Sequence, residues 1–222
     1  FPTRRSSDLA SGREVEAELR RMRELFLRWN PSTTMKCSIF EENGNRHDMQ
    51  RVLGHVTLQN AVRRMGDFVL TSCAANALQP YRQNDNGWDQ GQVFFTPSQV
   101  WGMPPYYAQQ MAAAHHRPLT VGCGVEGADG VLDVTATRSR EAGSVVLHIA
   151  NTGAEPLRVG LRVDGMGKVS QARMVSLSGD LDAVNTPEEP RRIAPVGREL
   201  PARAAQTVDI APYSYTIVVL DE

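Results

Sequence analysis

The chain has 222 residues, 41% of them hydrophobic and 22% charged, with a formal net charge of -1 at pH 7. This is an ordinary globular profile, and so balanced a charge gives neither nucleic acid nor an anionic membrane a bulk electrostatic attraction. The apolar runs, such as Val145-Val146-Leu147 and Ile217–Leu220, are far too short to span a bilayer, and the three cysteines, Cys37, Cys73 and Cys123, cannot form an even disulfide framework.

Phe1–Leu9, Phe-Pro-Thr-Arg-Arg-Ser-Ser-Asp-Leu, matches the in-frame translation of a common short-read sequencing adapter over all nine residues. It is set aside from the fold argument, and the natural protein is expected to continue upstream. Ser11-x-x-Glu14 reads as a capping box. The helix it opens carries Val15, Leu19, Met22, Leu25, Phe26 and Trp29 at helical spacing, and Asn30-Pro31 stops it. A short strand, Lys36–Glu42, follows. A second helix is predicted from about Asp48 to Met65, with Met49, Val52, Leu53, Val56, Val62 and Met65 on one face and Gly66 as its stop. Next come a strand over Phe68–Asn76, a long polar loop over Gln79–Gln92, and a short segment starting at Phe94-Phe95. Pro104-Pro105 opens another helix, with Tyr107 and Met111 one turn apart. Alternating helices and strands are an α/β signature. Two strands cannot close a sheet, so residues 10–117 are expected to form the last quarter of a (β/α)8 barrel.

After Pro118 the pattern changes to short β-rich runs: Val131–Ala136, Ser144–Ala150, Leu157–Val163, Ala172–Leu177, Thr207–Ala211 and Tyr213–Leu220. Turn signals separate them, so residues 118–222 are expected to form an antiparallel β-sandwich. Alternation such as Val159-Gly160-Leu161-Arg162-Val163 fits strands with one solvated face. Gly122-x-Gly124-x-x-Gly127 matches a dinucleotide fingerprint by letters only, because a turn rather than a helix follows it.

The feature that points to chemistry is the end of the first strand, Phe40-Glu41-Glu42. A buried strand ending in acid is costly unless the acid is paired or used, and β/α barrels place catalytic side chains at the C-terminal ends of their strands. The competing reading is a solvated strand end. In the polar loop, Trp88 could stack on a sugar face with Asn84 or Asn86 binding hydroxyls, or pack as the one apolar residue of a surface loop. The Asn84–Asp89 spacing is wrong for a calcium loop. His47 reads as a turn residue, and His55, His115, His116 and His148 show no metal-ligand spacing, so no metal is expected.

Phe40-Glu41-Glu42, Gln83-Asn84-Asp85-Asn86-Gly87-Trp88-Asp89 and Thr96–Tyr107, together with Asn185–Pro190 and Ala211–Thr216, resemble the C-terminal half of family 51 α-L-arabinofuranosidases. The resemblance covers nearly everything from Ala10 onward. It implies a retaining hydrolase that releases terminal α-L-arabinofuranosyl groups from plant polysaccharides or oligosaccharides, with no cofactor. Two glutamates do the work, with carboxyls roughly 5 Å apart: an acid/base on barrel strand four, which would lie upstream of this chain, and a nucleophile ending strand seven. The family places an aromatic residue after the nucleophile; here Asn43 follows the acidic pair. Aligning the pair gives Glu42 as nucleophile, with Glu41 the alternative. Strand alternation agrees, since Ser38, Phe40 and Glu42 share one face, and Cys37 and Ile39 suit the helix-packed exterior. The resemblance also puts Asn76 and Cys73 on the last barrel strand at substrate-facing positions, beside Trp88 and Asn84; for Cys73 the simpler reading is core packing. The resemblance also implies a sandwich that buttresses the barrel and lets the parent enzyme form a homo-oligomer. The rival readings are a related xylosidase or endoglucanase, and a noncatalytic carbohydrate-binding sandwich. The chain alone, with neither a closed barrel nor an acid/base, is expected to be inactive.

Overall fold

The computed structural model describes residues 11–83, 87, 89–128, 130–141 and 143–222; the adapter-like Phe1–Leu9 lies outside them. Helix α1 (Ser11–Trp29) leads to β1 (Cys37–Glu42), α2 (Met49–Arg64), a single 3-10 turn and β2 (Val69–Ala74). β1 and β2 are parallel neighbours, and α2 makes the crossover that parallel pairing requires. A small sheet of β3 (Leu78–Pro80), β4 (Val93–Phe95) and β5 (Val100–Gly102) precedes α3 (Pro104–Ala114), which starts on its two prolines as predicted.

Cys37 and Ile39 of β1 pack with Val69, Phe68 and Met65 under Leu19, Met22 and Phe26 of α1. Trp29, at the end of the apolar stripe read from sequence, is 73% exposed. Cys73 is exposed as well, which corrects its assignment to the core.

Helix α2 departs most from expectation. Asp48 caps it, accepting from Arg51 N at 3.1 Å. One apolar face was predicted, yet the helix is buried nearly all round because it is wedged among α1, β2, α3 and the sandwich. Arg51, His55 and Asn60 are consequently sealed inside. Asn60 bonds Asp133 Oδ1 (2.8 Å) and accepts from Thr135 Oγ1 (2.8 Å), while Arg64 spans Asp133 (3.0 Å) and Glu16 (2.6 Å). These bonds join α1, α2 and the sandwich.

The sandwich comprises β6 (Leu119–Val121), β7 (Leu132–Arg138), β8 (Ser144–Asn151), β9 (Leu157–Arg162), β10 (Gln171–Ser178), β11 (Val196–Leu200), β12 (Ala205–Ile210) and β13 (Ser214–Asp221). Six strands form one sheet in the order β11-β10-β13-β8-β7-β6, and β9 pairs with β12. Leu147, Ile149, Val218 and Leu220 face Leu161, Val208 and Ile210 of the β9–β12 pair. The alternate residues Val146, Ala150, Tyr215, Ile217 and Val219 face Met49, Val52 and Val56 of α2 and Tyr107, Ala108 and Met111 of α3. The central sheet is therefore a middle layer with both faces covered, which is why Tyr215–Leu220 is so apolar. Strand β9 keeps the solvated face that its alternation predicts. The edge strands β6 and β11 escaped the sequence reading because they bury little and so carry no apolar pattern.

Candidate active site

β1 and β2 run in parallel, so their C-terminal ends, Glu42 and Ala74, lie side by side. Ala75 N donates to Glu42 O at 3.2 Å, and the cis Ala75–Asn76 peptide follows. The ladder is not regular. Ile39 pairs with Ser72 and Glu42 with Ala74, so three steps on β1 match two on β2. This bulge re-aims the strand end. Glu42 returns to the helix-facing side with Ile39 and Ser72, while Phe40 and Glu41 are exposed. The alternation that grouped Glu42 with Ser38 and Phe40 does not survive it.

Glu42 is 4% exposed. Ser72 Oγ donates to its Oε1, and His55 Nδ1 lies 2.7 Å from its Oε2. The other nitrogen of that ring, Nε2, accepts from Arg51 Nε at 2.7 Å. A guanidinium can only donate, so the ring is the Nδ1–H tautomer and is neutral. Burial pulls the His55 pKa below its ordinary value, with Glu42 opposing. Burial likewise brings the Arg51 guanidinium down to about 10, with Glu42 and Asp48 opposing; it remains charged at neutral pH.

Arg51 Nη2 donates to Glu42 O (2.8 Å) and Ala75 O (3.0 Å), so one side chain closes both strand ends. Its Nη1 reaches Gln90 Oε1 at 3.5 Å, an oxygen that also accepts from Gly44 N at 2.7 Å. Gln90 Nε2 donates to Asn43 Oδ1 (3.0 Å) and Asn76 Oδ1 (3.1 Å). Gln79 holds the loop beneath, accepting from Gln90 N and Gly91 N at 3.2 and 2.8 Å and donating to Asp89 at 2.9 Å. A Cβ built on Gly44 would collide with the Arg51 guanidinium, so glycine is required there for close approach. His47 packs at a tilt of 58° against Phe94, ring centroids 5.0 Å apart, with Nδ1 3.2 Å from Asp89, tying the segment after β1 to the loop that precedes β4.

Of the residues singled out from sequence, Glu42 and Asn76 meet in this network through Arg51 and Gln90. Glu41 and Cys73 are exposed. Trp88 and Asn84 lie outside the described residues. The sequence reading missed Gln90, Arg51, Ser72 and the role of His55. Arg51 and His55 did leave a signal: they lie one turn apart beside the apolar positions Val52, Leu53 and Val56, where burial demands a partner. A cleft of about 290 Å³ lined by His115, Arg173, Arg198 and Glu199 lies on the sandwich, not at these strand ends. Among the described residues, no three His, Cys, Asp or Glu side chains converge as metal ligands would.

Two helix-packed parallel strands, the first of which ends in a pair of carboxylates, are thus joined through α2 to a β-sandwich. The family model for the α-L-arabinofuranosidase C-terminal domain matches residues 30–214, and the chain belongs to that family. No curated protein matches. Among solved structures, the family 51 arabinofuranosidase of Xanthomonas axonopodis pv. citri superposes with a TM-score of 0.75 at 11% identity, covering 100% of this chain and 50% of that one. Arabinose-bound MgGH51 α-L-arabinofuranosidase gives 0.72 at 21% identity, covering 78% and 28%. The enzyme of Thermotoga petrophila RKU-1 gives 0.71 at 17%, covering 84% and 43%. These likenesses establish a shared fold, and the chain spans no more than half the length of each of the three.

Proposed function

We propose that this chain is the C-terminal part of a retaining α-L-arabinofuranosidase that removes terminal arabinofuranosyl groups from arabinose-containing plant polysaccharides or oligosaccharides. In this reading residues 10–117 supply the last quarter of a (β/α)8 barrel, and the uncovered face of β1 and β2 is its lumen. Glu41 is the nucleophile. The observation that carries this is the contrast at the bulge: Glu41 is exposed on the open side, whereas Glu42 is 4% exposed with both oxygens bonded. A side chain this chain already buries by itself does not project into a lumen that the rest of the barrel must enclose. The order of preference drawn from sequence is thereby reversed.

The chemistry follows from two carboxyls roughly 5 Å apart. Ionised Glu41 attacks the anomeric carbon as the glycosidic bond breaks, and a second carboxyl, from a strand outside this chain, protonates the leaving oxygen. That residue then takes a proton from the water that releases arabinose and regenerates Glu41. No cofactor is needed. Asn76, held by Gln90 at 3.1 Å, offers its amide to sugar hydroxyls, and Cys73 lies on the same open face. Trp88 and Asn84 remain the proposed stacking and hydroxyl-binding residues of the adjoining loop.

The test is hydrolysis of nitrophenyl α-L-arabinofuranoside, xyloside and glucoside by the intact protein, with the product anomer followed by proton NMR. Selective cleavage of the arabinofuranoside with retention is expected, and no cleavage by the 222-residue chain alone. Preference for another glycoside, or inversion, would reject the assignment.

A further inference from the structure

We propose that Arg51 and His55 are positioning residues that aim Glu41 from behind, out of helix α2. The inference rests on the reading of Glu41 as nucleophile. His55 and Arg51 are both 0% exposed, so neither is placed to touch a sugar. Packing alone would not select them, because buried charged and polar groups often cost more than the apolar residues that could replace them. What they gain is position. His55 and Ser72 grip the Glu42 carboxylate from two sides, and Arg51 grips the Glu42 carbonyl. The residue directly after Glu41 is thus fixed at side chain and backbone together.

The same guanidinium holds Ala75 O and reaches Gln90, which holds Asn43 and Asn76. One helix therefore sets the spacing between the attacking carboxylate and the Asn76 amide, two residues beyond the end of the neighbouring strand. The charges balance, Glu42 against Arg51 with a neutral imidazole between them. Such a network is rigid when every member is satisfied, and rigidity at the attacking atom is where small displacements are most costly.

The test compares His55→Leu with His55→Gln in the intact protein. Leucine breaks both bonds; a glutamine amide can donate to Glu42 and accept from Arg51. His55→Leu is expected to lower kcat about 30- to 100-fold with KM within about threefold, and His55→Gln to stay within about fivefold of wild type. Azide should not restore His55→Leu, because the nucleophile is still present. Arg51→Lys, which keeps the charge but loses the fork, serves as the second variant if His55→Leu does not fold, with the same kcat loss at steady KM.

A merely structural role would reduce the yield of folded protein and its Tm, yet leave kcat per folded molecule unchanged. That result overturns the inference. A wild-type protein that cleaves no arabinofuranoside is a different failure: it rejects the reading of the site and this inference with it.

Discussion

Glu42 accepts a 2.7 Å hydrogen bond from His55 where both side chains are almost wholly shielded from water, at 2% and 0% exposure. Its neighbour Glu41 is exposed. Two adjacent carboxylates thus occupy opposite environments, and a one-residue bulge separates them.

The first consequence concerns stability. Glu42→Ala leaves the Arg51 charge buried without its carboxylate and should cost about 3–5 kcal/mol. Glu41→Ala removes an exposed group and should stay within about 0.5 kcal/mol of wild type. Urea unfolding of the chain, followed by circular dichroism, measures both. Equal effects would mean that the two environments are not as described.

A second consequence is a dependence on pH. Burial lowers the pKa of His55, and burial with Arg63, His115 and His116 nearby lowers that of His148 to about 2. Both groups stay neutral in the folded protein while the unfolded chain protonates near its ordinary value of about 6.5. The unfolded state then binds more protons, so stability is full above about pH 6.5 and is lost progressively on acidification toward about 2. His148 donates or accepts at Tyr215 OH across 2.8 Å, so His148→Gln can keep that bond without the titration. Between pH 6 and 4 its stability should fall less steeply than wild type, by up to about 1.4 kcal/mol per pH unit. Parallel slopes would show that His148 titrates normally.

Gly44 provides a third test. A methyl group there meets the Arg51 guanidinium, which cannot withdraw without releasing Glu42 O and Ala75 O. Gly44→Ala should cost about 1–3 kcal/mol by overpacking and should reproduce the kcat loss of the Arg51 variant. Chemical denaturation and steady-state kinetics check it; a variant with wild-type stability and turnover would contradict the contact.

Much of the fold was legible because it rests on local patterns. Asn30-Pro31, Asp48 and Pro104-Pro105 mark helix ends through backbone chemistry that context rarely overrides, and the β8 and β13 runs are apolar enough to be strands anywhere. The site was legible only as far as the acidic pair. The proposal of Glu41 over Glu42 rests on the bulge, and a bulge arises from pairing with β2, which strand alternation in β1 cannot reveal. Gln90 was hidden for the same reason: it meets Asn43, Asn76 and Arg51 only once distant loops converge. Helix α2 misled because a helix covered on all sides has no single apolar face to read.

The most direct measurement is chemical rescue of Glu41→Ala and Glu42→Ala in the intact protein, using an activated aryl α-L-arabinofuranoside with and without azide. A small anion can replace a missing nucleophile but not a missing buried anchor. Turnover of Glu41→Ala should be nearly abolished and should return with azide, giving a glycosyl azide of inverted configuration, while folded Glu42→Ala gains nothing. Rescue of Glu42→Ala alone would contradict the account, placing the nucleophile on the residue assigned here as the anchor.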